Sequence, residues 1–220
     1  MANKPKINTL KCSCVKCWVE TDHEILSVAE NSAEERDGTS WGYIYKFIQC
    51  LGCKTASIRE EFWFSEWDHG HMEITYYPPR TKRRRPDWLD QLEDRDPVLF
   101  SLLKEVYEAA DYGHHRLMSM GIRSVMDHVM TYLVEDIGGF EKKLDALVEK
   151  KIISDKQREL YDTVIEGGSA AAHRGYKPPW ALLENMLELM EFLINQSYIS
   201  GPMLEAAKVH IPPRPSQKKN

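Results

Sequence analysis

The sequence lacks the features that would place it in a membrane or an export pathway. None of its apolar runs reaches about 18 residues, the length needed for a transmembrane helix. Its first residues are polar and contain no apolar segment typical of a secretory signal. We therefore expect no membrane partner and a cytoplasmic location.

The chain also lacks a large excess of charge of either sign. It has 29 lysine and arginine residues against 34 aspartate and glutamate residues, which gives a net charge of −5. Such a balance does not favour nonspecific binding of nucleic acid by the whole surface, although a local basic patch can still bind. Its 42% content of hydrophobic residues is typical of a globular protein.

Cysteine is absent after residue 53, and the five cysteines present include two CxxC pairs. Each pair, Cys14 with Cys17 and Cys50 with Cys53, places two thiolates on one tight turn. Two such turns complete the tetrahedral set of four sulfurs that Zn²⁺ favours. We predict one structural Zn²⁺ per chain at these residues. Four thiolates leave no open position for water, so catalysis at this metal is not expected.

Four further side chains are weaker metal ligands. Cys12 can replace Cys14, although CxxC geometry favours Cys14, and His23 is a weaker substitute. The simpler interpretation makes both of them bystanders near the site. His69 and His71 alternate as strand residues do, but no third ligand follows them, so a surface loop is the favoured interpretation.

The composition changes near residue 80. Before it, runs rich in aromatic and β-branched residues, such as 41–48, predict short strands. The polar segment 31–40 is predicted to be a loop, and 60–77 to hold one or two further strands. Residues 1–79 are therefore predicted to form a small β-rich module resembling a zinc ribbon.

A basic and then acidic linker is predicted over residues 80–95. The candidate nucleic-acid-binding residues in it are Arg80, Lys82, Arg83, Arg84 and Arg85. With Tyr76, Tyr77 and Trp88 as stacking neighbours, they suit single-stranded nucleic acid. The alternative is a solvated linker whose charges aid solubility or pair with the acidic stretch 87–96.

An all-α bundle of about five helices is predicted over residues 96–209. The helices are expected to begin at Asp96-Pro97, to cover 112–135 and 140–150, to run from Ser154 to about Glu166, and to restart after Pro178-Pro179. Ser154 and Gln157 form a capping box, and Gly167-Gly168 is expected to end that helix. Residues 210–220 are predicted to be a disordered tail. The fold class is therefore α+β.

Arg123, Asp127 and His173 are the candidate catalytic residues of the helical part. Arg123 and Asp127 are four positions apart, so they share a helix face and can pair. His173 has two interpretations. Either it is buried and holds the fifth helix against the second, or it is an acid/base group in an open cleft.

Residues from about 97 to 200 resemble the DUF4145 domain, which is placed among the HEPN-like helical domains. Arg123 and Asp127 match the first part of the family's pattern. The middle and last parts are matched by Leu144, Leu147, Ile152, Gly168, Ala172 and His173. The resemblance implies a HEPN-like bundle, a homodimer and a prokaryotic defence or restriction-type setting.

Related HEPN domains often act as metal-independent ribonucleases that pair an Arg and a His across the homodimer. This chain has Glu166 where the family has that Arg and Ser169 where it commonly has Asn, and Glu166 would repel a scissile phosphate. We therefore expect a zinc-binding, non-catalytic interaction module for RNA, DNA or a protein partner. The alternatives are a HEPN-type ribonuclease or toxin with an altered centre and, less favoured, a structural subunit.

Overall fold

The α+β class is confirmed by a computed structural model that describes residues 8–17, 19–80 and 83–212. The chain divides into two compact units, Met1–Arg84 and Arg85–Asn220. The strands lie in the first unit and the helices in the second. Lys82 and most of the predicted tail lie outside the described residues.

The first unit is one antiparallel sheet in which each strand pairs with the next along the chain. Its strands are β1 (Thr9–Ser13), β2 (Glu20–Glu34), β3 (Ser40–Cys50), β4 (Ala56–Phe64) and β5 (Glu73–Tyr77). The two CxxC turns follow β1 and β3, so the sheet brings them to the same end.

The predicted loop over 31–40 was wrong in its first part, because these residues continue β2. Asn31 pairs with Tyr43 and Glu34 with Ser40, which leaves only residues 35–39 as the turn. All residues of β2 from 26 onward are exposed. Without a buried face the segment shows no alternation of polar and apolar residues, so the sequence does not reveal it as a strand.

The buried part of the sheet lies toward the cysteine turns and along its centre. Ile48 and Cys50 are fully buried, and His23 is almost so. Glu61 is also buried, and it is neutralised by Lys46 at 2.7 Å and Arg59 at 2.6 Å. Such a carboxylate is tolerated away from water because it is paired.

The second unit begins with a 3₁₀ turn, Leu89–Gln91, inside the segment that the sequence suggests as a linker. Its helices are α1 (Leu92–Arg95), α2 (Pro97–Asp111), α3 (His115–Val134), α4 (Phe140–Glu149), α5 (Asp155–His173), α6 (Trp180–Ile194) and α7 (Gly201–Lys208). A π-helix, Asn195–Ser200, joins α6 to α7.

The predicted helix starts are confirmed by their capping bonds. Asp96 accepts a hydrogen bond from the Leu99 amide, and Pro97 occupies the first turn of α2. Ser154 and Gln157 form both bonds of the capping box of α5.

The prediction that Gly167-Gly168 ends a helix was wrong, because α5 continues to His173. A Cβ atom on Gly168 would lie 2.5 Å from Arg123 Cβ and 2.8 Å from the Ser119 carbonyl oxygen. The glycine therefore allows a close approach of α5 to α3 rather than a break.

α3 is the central helix of the bundle and packs against α2, α4, α5 and α6. Its buried side chains include Met118, Ile122, Val125, Met126, Val129 and Met130. Within the described ranges, no helix combines the length and apolar character needed to cross a membrane.

Candidate functional site

Cys14, Cys17, Cys50 and Cys53 form a compact cluster in which all four Sγ atoms lie within 4.8 Å of one another. Cys14 Sγ is 3.5 Å from Cys53 Sγ, and Cys17 Sγ is 3.9 Å from Cys50 Sγ. These distances are too long for disulfide bonds, which are about 2 Å. The four predicted ligands are thus brought together as a set that could hold one metal ion.

Backbone and hydroxyl groups around the two turns hold the sulfurs in place. The Lys16 amide donates to Cys14 Sγ at 3.4 Å. Thr21 Oγ1 lies 3.3 Å from Cys50 Sγ, and Thr55 Oγ1 lies 3.2 Å from Cys53 Sγ. Such second contacts orient the thiolates of a metal site. Neither threonine was predicted, although Thr55 follows the second CxxC pair by two residues.

The four thiols differ in acidity. Hydrogen bonding with the side chain and backbone of Thr55 lowers the pKa of Cys53 to about 6. Burial raises the pKa of Cys50, but bonds from Thr21 and from backbone amides outweigh it and lower the pKa to about 7. A hydrogen bond to Cys53 raises the pKa of Cys17 to about 12, and burial raises the pKa of Cys14. The second turn therefore supplies thiolates near neutral pH.

Cys12 and His23 lie beside this cluster and not in it. Cys12 Sγ is 3.3 Å from His23 Nδ1, which also lies 3.0 Å from the Thr21 carbonyl oxygen. Neither residue belongs to the group of four potential ligands. This agrees with the simpler interpretation, in which both are bystanders.

His69 and His71 lie in the connection between β4 and β5. Both are exposed, and the His71 ring packs edge-on against Trp67, with ring centroids 4.9 Å apart. No potential metal-binding group in the described part of the chain includes them. The surface-loop interpretation therefore accounts for both.

The residues of the basic run differ in their surroundings. The Arg80 guanidinium stacks on Tyr76 at 3.6 Å from the ring centroid and donates to Cys12 Sγ at 3.1 Å. Arg85 stacks on Tyr107 at 4.4 Å and pairs with Asp111. Arg83 and Arg84 also have interaction partners. Nucleic-acid binding by this run stays a prediction.

The three candidate catalytic residues are not brought into one cluster. Arg123 and Asp127 do not form the pair that their spacing allows. Asp127 accepts a hydrogen bond from Lys143, and the Arg123 guanidinium lies 4.5 Å from the Phe140 ring centroid. His173 is exposed at the end of α5, so the interpretation in which it is buried and holds two helices together was wrong. In the described residues, neither a hydrogen bond nor an ion pair joins it to Arg123 or Asp127.

The charge of Glu166 was expected to repel a scissile phosphate, but in the structure this charge has a partner of opposite sign. The Glu166 carboxylate pairs with Arg174, which lies eight residues later, just past the end of α5. An exposed ion pair therefore stands where the resemblance places an Arg, while the His of that pattern is present as His173. A catalytic role for His173 stays a prediction.

Lys143 is a buried residue that the sequence interpretation missed. Its side chain is 4% exposed, and its Nζ donates to Asp127 and Thr131. A signal was available, because Lys143 shares one helix face with the apolar residues Phe140 and Leu147. A lysine on an apolar face needs a buried or half-buried partner.

Comparison with known proteins assigns the helical unit. Residues 104–217, just over half of the chain, match the family described as Domain of unknown function (DUF4145). The chain belongs to this family, and the match runs from within α2 to beyond α7. No curated protein and no solved structure matches the chain. The HEPN-like affiliation and the homodimer stay predictions.

Proposed function

We propose that this protein is a zinc-stabilised, non-catalytic module that binds single-stranded nucleic acid. The prokaryotic defence or restriction-type setting rests on the family resemblance alone. The observation that carries the proposal is the cluster of four cysteine sulfurs. It supplies a closed ligand set with no place for a reacting water, while Arg123, Asp127 and His173 stand apart.

The geometry of the cluster suits Zn²⁺. With Zn–S bonds of about 2.3 Å, the edges of a sulfur tetrahedron measure about 3.8 Å. The Cys14–Cys53 and Cys17–Cys50 separations, 3.5 Å and 3.9 Å, lie on either side of that length. When bound, the ion would link the two turns and leave the chemistry of the protein to its other surfaces.

The choice of zinc is tested by the metal content of cysteine variants. We expect about one zinc ion per purified chain, because there is one set of four thiols. Cys14→Ser and Cys50→Ser should lose the metal and unfold the β unit, since its buried core lies beside the cluster. Cys12→Ser is the matched control and should keep the metal. Folded wild-type protein without zinc would overturn the assignment.

Nucleic acid is favoured over a protein partner by the basic run and its aromatic neighbours. Arg80 already stacks on Tyr76, which is the arginine and aromatic combination that single strands engage. Phosphate contacts release counterions, so affinity should fall steeply with salt. The Arg83→Ala/Arg84→Ala variant should flatten that dependence by about one log unit of slope per contact.

The binding proposal and its alternative are separated by two measurements. Fluorescence anisotropy with single-stranded RNA and DNA at low salt should give binding. Its absence would favour a protein partner instead. Incubation of RNA with the protein in EDTA should give no cleavage. Metal-independent cleavage that is lost in His173→Ala would establish the ribonuclease alternative.

A further inference from the structure

A small basic cavity lies in the helical unit where α2 turns into α3. Its volume is about 230 Å³, and it is lined by Gly113, His114, His115, Arg116, Leu117 and Lys177. Four of these six residues carry cationic or imidazole side chains, and none carries a carboxylate. None of its lining residues belongs to the cysteine cluster or to the basic run.

Two hydrogen bonds build the cavity by fixing the segment after α5 beside the start of α3. His115 Nδ1 donates to the Pro178 carbonyl at 2.8 Å, and Arg116 Nε donates to the Gly175 carbonyl at 3.0 Å. In the chain, Lys177 lies between Gly175 and Pro178, the two residues whose carbonyls these bonds anchor. The first bond uses His115 Nδ1 and leaves its Nε2 available.

The cationic groups around the cavity have few protein acceptors. Beyond the Arg116 Nε bond, the side chains of Arg116, Lys177 and His114 make no hydrogen bond or ion pair within the described ranges. The His114 ring stacks parallel to Tyr112, with centroids 5.9 Å apart. Like charges held together without counter-charges favour the binding of an anion.

Two other arginines of the helical unit, unlike the cations of the cavity, are paired with carboxylates. Arg85 is neutralised by Asp111, and Arg174 by Glu166. Arg116 and Lys177 have no such carboxylate in the described part of the chain. Arg116 and Lys177 therefore leave uncompensated positive charge at the cavity.

We infer that this cavity binds the terminal phosphate of a nucleic-acid strand. The Arg116 guanidinium offers the planar fork that matches two phosphate oxygens, and Lys177 and His114 add point contacts. A terminal phosphate carries about −1.5 to −2 charges at neutral pH, more than an internal phosphodiester. A cavity of this size holds one such group and not a length of strand. The inference rests on the proposed function for its choice of nucleic acid.

The test compares short single-stranded RNAs that differ only in their ends. Full-length, zinc-loaded protein is titrated with the 5′-phosphorylated, the 3′-phosphorylated and the unphosphorylated strand by fluorescence anisotropy. We expect one phosphorylated strand to bind about tenfold more tightly than the unphosphorylated one, as one charge-assisted contact set provides. Inorganic phosphate should compete with that strand only.

Variants test whether the preference for a terminal phosphate arises at this cavity. Lys177→Ala should remove most of the preference for a terminal phosphate, and it removes no hydrogen bond or ion pair of the described residues, so we expect the fold to be retained. Arg116→Lys keeps the charge and loses the fork, and should lower the preference less. Lys142→Ala, an exposed lysine on α4, is the matched control and should bind as wild type does. Melting temperatures of all variants verify folding.

The outcomes separate this inference from the proposed function. If all three strands bind alike and Lys177→Ala matches wild type, the phosphate site is wrong and nucleic-acid binding stands. If no strand binds but inorganic phosphate does, with loss in Lys177→Ala, the phosphate chemistry stands and its source is a small molecule. That result would overturn the nucleic-acid function. Binding of neither would overturn both.

Discussion

Lys143 on α4 donates a hydrogen bond from Nζ to Asp127 Oδ1 on α3, at 2.9 Å. The lysine side chain is 4% exposed, whereas the aspartate side chain is 49% exposed. The contact therefore joins a buried cation to a carboxylate that water can still reach, and it ties α4 to the central helix.

Replacing Lys143 by Met should lower the free energy of unfolding by about 1–3 kcal/mol. The change removes the donor to both Asp127 and Thr131, while Met fills a similar volume. Urea denaturation measures the loss. Lys142→Met changes the exposed neighbour and should alter stability by less than about 0.5 kcal/mol. Equal stability of the two variants would show that the buried pair contributes nothing.

The same pair predicts a loss of stability at alkaline pH. Burial lowers the pKa of Lys143, but Asp127 and Asp136 outweigh burial, so the pKa is raised above 10.5. The folded state therefore holds this proton more tightly than the unfolded state. The stabilisation linked to this proton is complete below the ordinary lysine pKa. It is lost as pH rises through the pKa of Lys143 in the folded protein. Wild type should lose stability there more steeply than Lys143→Met.

The two adjacent glycines of α5 should respond in opposite ways to alanine. In Gly168→Ala the new methyl group would meet Arg123 Cβ and the Ser119 carbonyl, so we expect a loss of about 1–3 kcal/mol. In Gly167→Ala it would meet only the flexible end of Met186, at 3.2 Å. That variant should be neutral or gain up to about 1 kcal/mol, since alanine favours helix. Thermal denaturation compares them directly, and equal losses would contradict the close approach of α3 and α5.

Asp96 should make stability depend on acid pH. Burial raises its pKa, but the Leu99 amide and His128 outweigh burial and lower it. A lowered folded-state pKa gives stability that is present above the ordinary aspartate value and lost as pH falls through the folded one.

Asp96→Asn keeps a capping oxygen and removes the charge, so its unfolding free energy should change less than that of wild type below about pH 4. The exposed Asp94 makes no hydrogen bond or ion pair in the described residues, so Asp94→Asn should follow the wild-type curve. Chemical denaturation at several pH values provides the comparison. Parallel curves for all three proteins would contradict the role of Asp96.

Metal binding should release about two protons per chain at pH values slightly above neutral. Cys53 and Cys50, with pKa values of about 6 and about 7, are largely ionised there. Cys14 and Cys17 have raised pKa values, so they still carry protons that the metal must displace. Calorimetric titration of the metal-free protein with zinc, in buffers of different ionisation enthalpy, counts the protons. Release of four protons would show that all four thiols start protonated.

The sequence allowed the helical unit to be predicted well, because its signals are local. Asp96-Pro97, Ser154 with Gln157, and Pro179 mark helix starts through neighbouring atoms alone. The four cysteines could likewise be predicted as one set of ligands, since each CxxC pair forms its own local turn. These features need no knowledge of which elements meet in space.

The features that escaped prediction depend on contacts between distant residues. Whether Gly168 breaks or tightens a helix is decided by Arg123, which lies 45 positions earlier in the chain. Arg123 and Asp127 satisfy the spacing of an ion pair, yet Lys143 takes the carboxylate from another helix. The outer half of β2 has no buried face, so only its pairing with β3 shows that it is a strand.

The cysteine cluster also constrains how β2 and β3 can align. The two strands form one hairpin with its turn at 35–39, and the CxxC pairs lie at its open end. A slip of one residue would shift Cys50 by about 3.3 Å along the partner strand and point its side chain to the other face. The four sulfurs would then no longer converge. Metal binding by the four cysteines would therefore select the correctly aligned hairpin, because a misaligned one could not hold the ion.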